Sequence, residues 1–224
     1  MNIPLVLSTE ASGYFAERIS DWFKAARIVP VERKIFDGGE RYYRLGIDER
    51  DELIGRDAVF VASTHGDEQL NELCRVGETV SRAGARRIIF AIPFLGYSTM
   101  ERAVMPGEAV MAKIAARQLS QIPSGDMRNC FLVLDLHTAG LVHYFEGDAL
   151  AHELYAEDVL VDAIRELGLG SFVMASADLG RAHRVQAFAK RFGAEVAFID
   201  KRRVVGETHV FNVIGDVNGR AVVI

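Results

Sequence analysis

The chain has 224 residues, half of them hydrophobic, with a formal net charge of −5 and two cysteines, and its mean hydropathy is +0.11. That length can bury one large core or two modest ones, and the acidic balance argues against a broad basic surface for nucleic acid. No basic segment precedes an apolar one at the amino terminus and no apolar stretch is long enough to span a bilayer, so the expectation is a soluble cytoplasmic protein with no membrane partner, its Cys74 and Cys130 buried free thiols of a reducing compartment.

In chain order, residues 5–7 open a first apolar run, and Phe15, Ile19, Trp22 and Phe23 then fall at helical spacing over 11–26. "FDGGE" (36–40) holds a tight turn of an ordinary hairpin, in which Gly38 and Gly39 both suggest positive φ. Further apolar runs follow at 58–62, 88–92, 131–134, 172–175, 196–199 and 221–224. Each is rich in β-branched or aromatic residues and none alternates cleanly with polar ones, which predicts strands covered on both faces. Between them, 69–83, 108–119, 151–167 and 181–192 read as amphipathic helices. Strand and helix in alternation predict an α/β fold with mainly parallel sheets.

Two stretches resemble each other. "LVLSTEASGYFAERI" with "ARIVPVERK" near the start is echoed by "FVMASADLGRAHRV" with "AEVAFIDKR" later, which places Glu10 against Asp178 and Gly13 against Gly180. This suggests two related domains in tandem, 1–145 and 146–224, with 123–126 a polar loop inside the first.

Ligands of open α/β sheets gather at the carboxyl ends of the strands. There the sequence places Ser63, Thr64 and His65, then Asp135 and His137, then Ser176, Asp178 and Gly180, and finally Asp200, Lys201, Arg202 and Arg203. Asp135 and His137 are two apart, so on an extended backbone both point the same way and can share a divalent cation, with Asp178 supplying a second carboxylate. Either acid could instead cap a following helix. Lys201 and Arg203 share a face if their strand continues; two cations beside a metal suit polyphosphate chemistry, although basic runs are more often solvated. Residues 204–209 read as a mobile loop able to close over a substrate. In "PFLGYSTMER", Tyr97 and Arg102 are available to a base or a phosphate. The nucleotide cradles of the P-loop and GxGxxG types are absent. The Asp-x-His pair alone would also suit a zinc hydrolase, but no second histidine stands at helical or strand spacing to His137.

Taken in order, "FDGGERYYRL", "AVFVASTHGDEQLNEL", "IPFLGYSTMER", "VLDLHTAGLVHYF", "SADLGRAHRVQAFA", "IDKRR" and "IGDVNGRAVVI" resemble the segments of ribose-phosphate pyrophosphokinases, the phosphoribosyl pyrophosphate synthetases. The D-L-H match is the most specific. The resemblance implies two tandem type I phosphoribosyltransferase-like domains and Mg²⁺-dependent transfer of diphosphate from ATP to ribose 5-phosphate, with AMP released. By the same resemblance, His137 and Asp178 contact the metal with Asp135 beside them. Lys201 and Arg203 steady the transferred group. Phe36 and Glu40 meet the base in a neighbouring subunit, and Tyr97 and Arg102 line the nucleotide site. The resemblance further implies a dimer-based homo-oligomer, up to a hexamer.

This sequence also departs from the pattern. The family's acid in F-x-D-G-E is Gly38, its Arg-Gln pair is Thr99-Met100 with Glu101 following, and its Pro and Lys of the S-P-D segment are Ala177 and His183. The family continues past "GRAVVI" into a loop that grips the sugar phosphate, which makes the second domain incomplete by expectation. These departures leave open a second reading, a non-catalytic synthetase-like partner or nucleotide-sensing subunit. The sequence-level expectation is that positions 135, 137, 178, 201 and 203 surround one phosphate-sized hollow.

Overall fold

A computed structural model describes residues 3–24, 26–177, 182–204 and 207–224, the side chains of 201–204, 207–209 and 211 excepted. The chain forms two compact units, Met1–Tyr155 and Ala156–Ile224.

The first unit is built on six strands, β1 (Leu5–Ser8), β2 (Arg27–Ile28), β5 (Asp57–Val61), β6 (Arg87–Ile92), β7 (Cys130–Leu134) and β8 (Leu150–Leu154), in the order β2-β1-β5-β6-β7-β8. Every neighbouring pair is parallel. Parallel strands need helical crossovers that cover both faces, and α1 (Gly13–Trp22), α2 (Asp67–Arg82) and α3 (Met111–Ser120) supply them. The strand period of two sorts the apolar side chains: Val6, Val59 and Val61 pack with Ala16 of α1, whereas Leu5, Leu7, Phe60, Phe90 and Phe131 join the larger core with α2 and α3.

Register sets the centre of that core. Phe60 pairs with Phe90 and Phe90 with Phe131 across three strands. Their rings form a row, with centroids 6.0 and 4.5 Å apart and the second pair near parallel. Gly77 lets α2 sit against this row, since a Cβ there would come within 3.1 Å of the Phe90 ring.

The hairpin turn at 36–40 is as expected: β3 (Val31–Ile35) and β4 (Arg41–Leu45) pair antiparallel, and the Phe36 N–H donates to the Glu40 carbonyl. Only Gly39, at φ +82°, takes the left-handed conformation; Gly38 does not. The hairpin is tied down by Arg33, which donates to Glu72 of α2 and to the Ser8 carbonyl at the end of β1.

The second unit contains β9 (Phe172–Ser176), β10 (Glu195–Val204), β11 (Glu207–Ile214) and β12 (Ala221–Val223) in the order β11-β10-β9-β12, with α4 (Glu157–Glu166) and α5 (Ala182–Phe192). β9 is parallel to both of its neighbours and β11 returns antiparallel. Two expectations are corrected. Residues 150–154 form β8 in place of the start of a helix, and their ladder with β7 keeps them in the first unit, past the expected boundary at 145. The loop expected over 204–209 is in large part strand, because Val204 pairs with Glu207 and Arg203 with Thr208.

Candidate functional site

The strand order of the first unit reverses at β1, whose successor β2 lies on one side and β5 on the other. Carboxyl ends of strands near such a point are the usual ligand positions of open α/β sheets. Here the ends of β1, β5 and β6 are stitched together by short polar bonds. The Ser12 hydroxyl accepts the Ser63 N–H at 3.0 Å and lies 3.2 Å from the Thr9 hydroxyl. Thr64, fully buried, accepts the Gly96 N–H at 3.0 Å on its hydroxyl, and its own N–H donates to the Phe94 carbonyl at 2.9 Å. Gly96 is required at that position: a Cβ would stand 1.8 Å from the Thr64 carbonyl oxygen.

This stitching fixes the loop after β6. Tyr97 follows with φ +63°, a left-handed conformation costly for a non-glycine residue. Its hydroxyl donates to Asp67 at the start of α2. That bond, aided by partial burial and by the carboxylate charge, raises the Tyr97 pKa above its ordinary value, so the phenol is a hydrogen-bond donor at neutral pH. The loop then turns, Met100 N–H to Tyr97 carbonyl at 2.8 Å, and presents Glu101 and Arg102.

Asp135 and His137 follow β7, but not by the strand alternation expected of them. β7 ends at Leu134 and Asp135 has φ +46°, so the residue-parity argument for their common direction does not apply. The Asp135 N–H donates to the Leu154 carbonyl at 2.8 Å, the intervening Leu136 is buried, and His137 is left 38% exposed. The Nε2 of His137 lies 4.0 Å from Oε2 of Glu101, and Arg102 Nε lies 3.7 Å from Glu101 Oε1. Tyr144 closes the structure: its hydroxyl donates to the Glu101 carbonyl at 2.6 Å, and Tyr144 ends the 3-10 turn Ala139–Tyr144 that begins two residues after His137.

Of the expected site residues, His137 and Arg102 are thus brought to the same carboxylate, Glu101. Phe36 and Glu40 sit at the hairpin tip, with the Phe36 ring, 52% exposed, edge-on to Tyr42. Their neighbour Arg41 pairs with Glu68 of α2 at 2.8 Å. Asp178 and Gly180 lie outside the described residues, as do the side chains of Lys201 and Arg203. The β10 backbone does continue as a strand through both cations, with a register shift between Asp200 and Lys201.

At the β7 end the His137 imidazole lies 4.0 Å from one carboxylate, that of Glu101, and a divalent cation there would take most of its oxygen ligands from water and phosphate. Among the described residues, no three His, Cys, Asp or Glu side chains are grouped closely enough to hold a metal without such help. Sequence reasoning placed Glu101 only as a motif position and gave no role to Tyr144 or Asp67. The spacing of 43 residues between Glu101 and Tyr144 carries no local signal.

The family model for the N-terminal domain of ribose phosphate pyrophosphokinase matches residues 5–122. The chain is 34% identical over 199 residues to a ribose-phosphate pyrophosphokinase of Gloeobacter violaceus, covering 87% of this chain and 57% of that protein. It is 31% identical over 208 residues to the chloroplastic ribose-phosphate pyrophosphokinase 2 of Spinacia oleracea, covering 90% and 50%. The chain therefore spans about half the length of the curated relatives it matches. In fold it is similar to the crystal structure of phosphoribosylpyrophosphate synthetase from Mycobacterium smegmatis, with a TM-score of 0.80 at 22% identity, over 98% of this chain and 70% of that one. No helix among the described residues is long and apolar enough to cross a membrane.

Proposed function

Since this chain belongs to the ribose-phosphate pyrophosphokinase family, we propose that it takes part in moving a diphosphoryl group from ATP to the anomeric hydroxyl of ribose 5-phosphate, with AMP as leaving group. The observation that carries this reading is the family match over 5–122, which embraces the loops after β5 and β6 where the polar side chains gather.

In this reading His137, Asp135 and Asp178 hold Mg²⁺. The ion, when bound, supplies positive charge to the phosphate oxygens. The chain's own residues position the reactants. Arg102, 80% exposed, is free to meet a phosphate. Lys201 and Arg203 steady the charge that spreads over the transferring group, where positioning and electrostatics do most of the catalysis. The Tyr97 hydroxyl, held on Asp67, fixes the backbone of the nucleotide loop. Phe36, exposed at the hairpin tip, offers an aromatic face to a base. In the working form that base belongs to the nucleotide of a neighbouring subunit, so the protein acts as a dimer-based homo-oligomer in the cytoplasm.

The test is AMP release by the purified chain with ATP, Mg²⁺ and ribose 5-phosphate. Release that requires the sugar phosphate and drops by orders of magnitude in Lys201→Ala supports the reading. Absence of turnover, with nucleotide binding retained, would favour the non-catalytic partner, the reading that Thr99-Met100 motivates.

A further inference from the structure

We infer that Tyr144 is a positioning residue: its hydroxyl sets the separation between the loop after β6, which carries Arg102, and the turn after β7, which follows His137. What is positioned rests on the diphosphokinase reading; the contact itself does not.

The first observation is how little else holds the loop at that point. Residues 102–109 are exposed. Up to Met100 the chain is tied down, by the Gly96 bond to Thr64, by the Tyr97 hydroxyl on Asp67 and by the Met100 N–H on the Tyr97 carbonyl. It is tied again at the Val104 and Met105 N–H groups, but only to Glu108 of the same loop. Between these points, among the described residues, the backbone of 101–103 makes one hydrogen bond, which the Glu101 carbonyl accepts from Tyr144 at 2.6 Å. Arg102 is the next residue.

The second observation is that the other end of this bond is rooted. Tyr144 closes the 3-10 turn Ala139–Tyr144. Leu141 of that turn is buried in the main core of the first unit, and Val142 and the Tyr144 ring pack against the same core. A ring packed in this way keeps its rotamer, so its hydroxyl is a fixed point. The Glu101 side chain makes a second link between the same two segments, pairing with Arg102 at 3.7 Å and reaching His137 at 4.0 Å.

The third is that hydrogen-bond satisfaction alone does not call for a phenol here. The chain from Arg102 onward is in solvent, and a carbonyl beside it can be satisfied by water at little cost. What the phenol adds is a place. Groups that meet one polyphosphate must keep their spacing, and a misplacement of about 1 Å can cost ~100-fold in rate.

Tyr144→Phe keeps the packed ring and removes the donor. Trypsin cleavage after Arg102 under native conditions reports opening of the loop whether or not the protein is active. It is expected to run about 5-fold faster in Tyr144→Phe, the factor that one lost hydrogen bond gives the open form, with cleavage after Lys113 and Arg117 of α3 unchanged. In AMP release from ATP, Mg²⁺ and ribose 5-phosphate, kcat per folded molecule is expected to fall about 10-fold or more while KM for ATP stays within about 3-fold. A merely structural role would lower the urea midpoint and leave that kcat alone. Placing 4-aminophenylalanine at position 144 restores a donor and should bring both readouts back towards wild type, which also covers a Tyr144→Phe that does not fold. Unchanged cleavage in folded Tyr144→Phe, faster cleavage with unchanged kcat, or an amino variant without wild-type turnover would each overturn the inference. A wild type that releases no AMP refutes the diphosphokinase reading, and the positioning role with it, whatever the cleavage shows; wild-type turnover with an indifferent Tyr144 refutes the positioning role alone.

Discussion

Gly96→Ala tests whether the carboxyl ends of β5 and β6 are as tightly joined as described. The added Cβ would lie 1.8 Å from the Thr64 carbonyl oxygen and 3.0 Å from its carbon, both backbone atoms that no rotamer change can move. Relief to about 3.2 Å requires the two loops to separate by roughly 1.4 Å, more than a packed interior yields without loss. Separation stretches the Gly96 N–H to Thr64 hydroxyl bond and the Thr64 N–H to Phe94 carbonyl bond. At ~1 kcal/mol for each bond and ~1–3 kcal/mol for overpacking, the expected loss is about 3–5 kcal/mol. That is a large share of a typical domain's stability. Urea unfolding followed by circular dichroism measures it, as a lower midpoint at unchanged slope. The control is Gly38→Ala, at a position with nothing within 4 Å of the new Cβ, for which a change below ~0.5 kcal/mol is expected. A loss under ~1 kcal/mol for Gly96→Ala would refute the close approach of the loops.

Three further predictions concern the first unit. Asn129, buried, accepts the Ile88 N–H and donates to the carbonyls of Ile122 and Pro123, so Asn129→Ala should cost about 2–4 kcal/mol in the same urea assay; a neutral change would contradict it. Arg86, and then Arg87, hold the Asp57 carboxyl below its ordinary pKa against the opposing effect of burial. Because the folded value is the lower one, the stabilisation is complete above pH about 4 and fades as the pH falls below it. The advantage of wild type over Asp57→Asn should therefore shrink in acid, and an advantage that persists there unchanged would be contrary evidence. Burial pushes the Cys74 thiol up to about 11 and raises Cys130 as well. Both should react slowly with a disulfide reagent at neutral pH until urea is added, and prompt labelling of native Cys74 would count against its burial.

The parallel sheets were legible because their strands are continuous apolar runs, and that pattern has few other uses in a soluble fold. Shorter and more polar strands were not. β8 reads "LAHEL", a string of good helix formers, and becomes a strand only because the exposed edge of β7 offers it a ladder, a case of tertiary context overriding propensity. β11 reads "ETHVFNVI" and begins with residues that look loop-like until β10 pairs with them. At the candidate site, sequence marked strand ends as the place to look. The strand alternation expected over 135–137 does not hold, since Asp135 is left-handed and follows the end of β7, and a strand period cannot register that. The bond from Tyr144 to the Glu101 carbonyl escaped notice because the two residues stand 43 apart in sequence.

The central claim is transfer of the β,γ-diphosphate as one unit to a sugar oxygen. Phosphorus NMR of the purified chain incubated with ATP, Mg²⁺ and ribose 5-phosphate tests it most directly. The account predicts AMP and a 1-diphosphorylated sugar phosphate appearing in equal amounts, with no ADP. Formation of ADP with inorganic phosphate, or an unchanged ATP spectrum at stoichiometric protein, would contradict it.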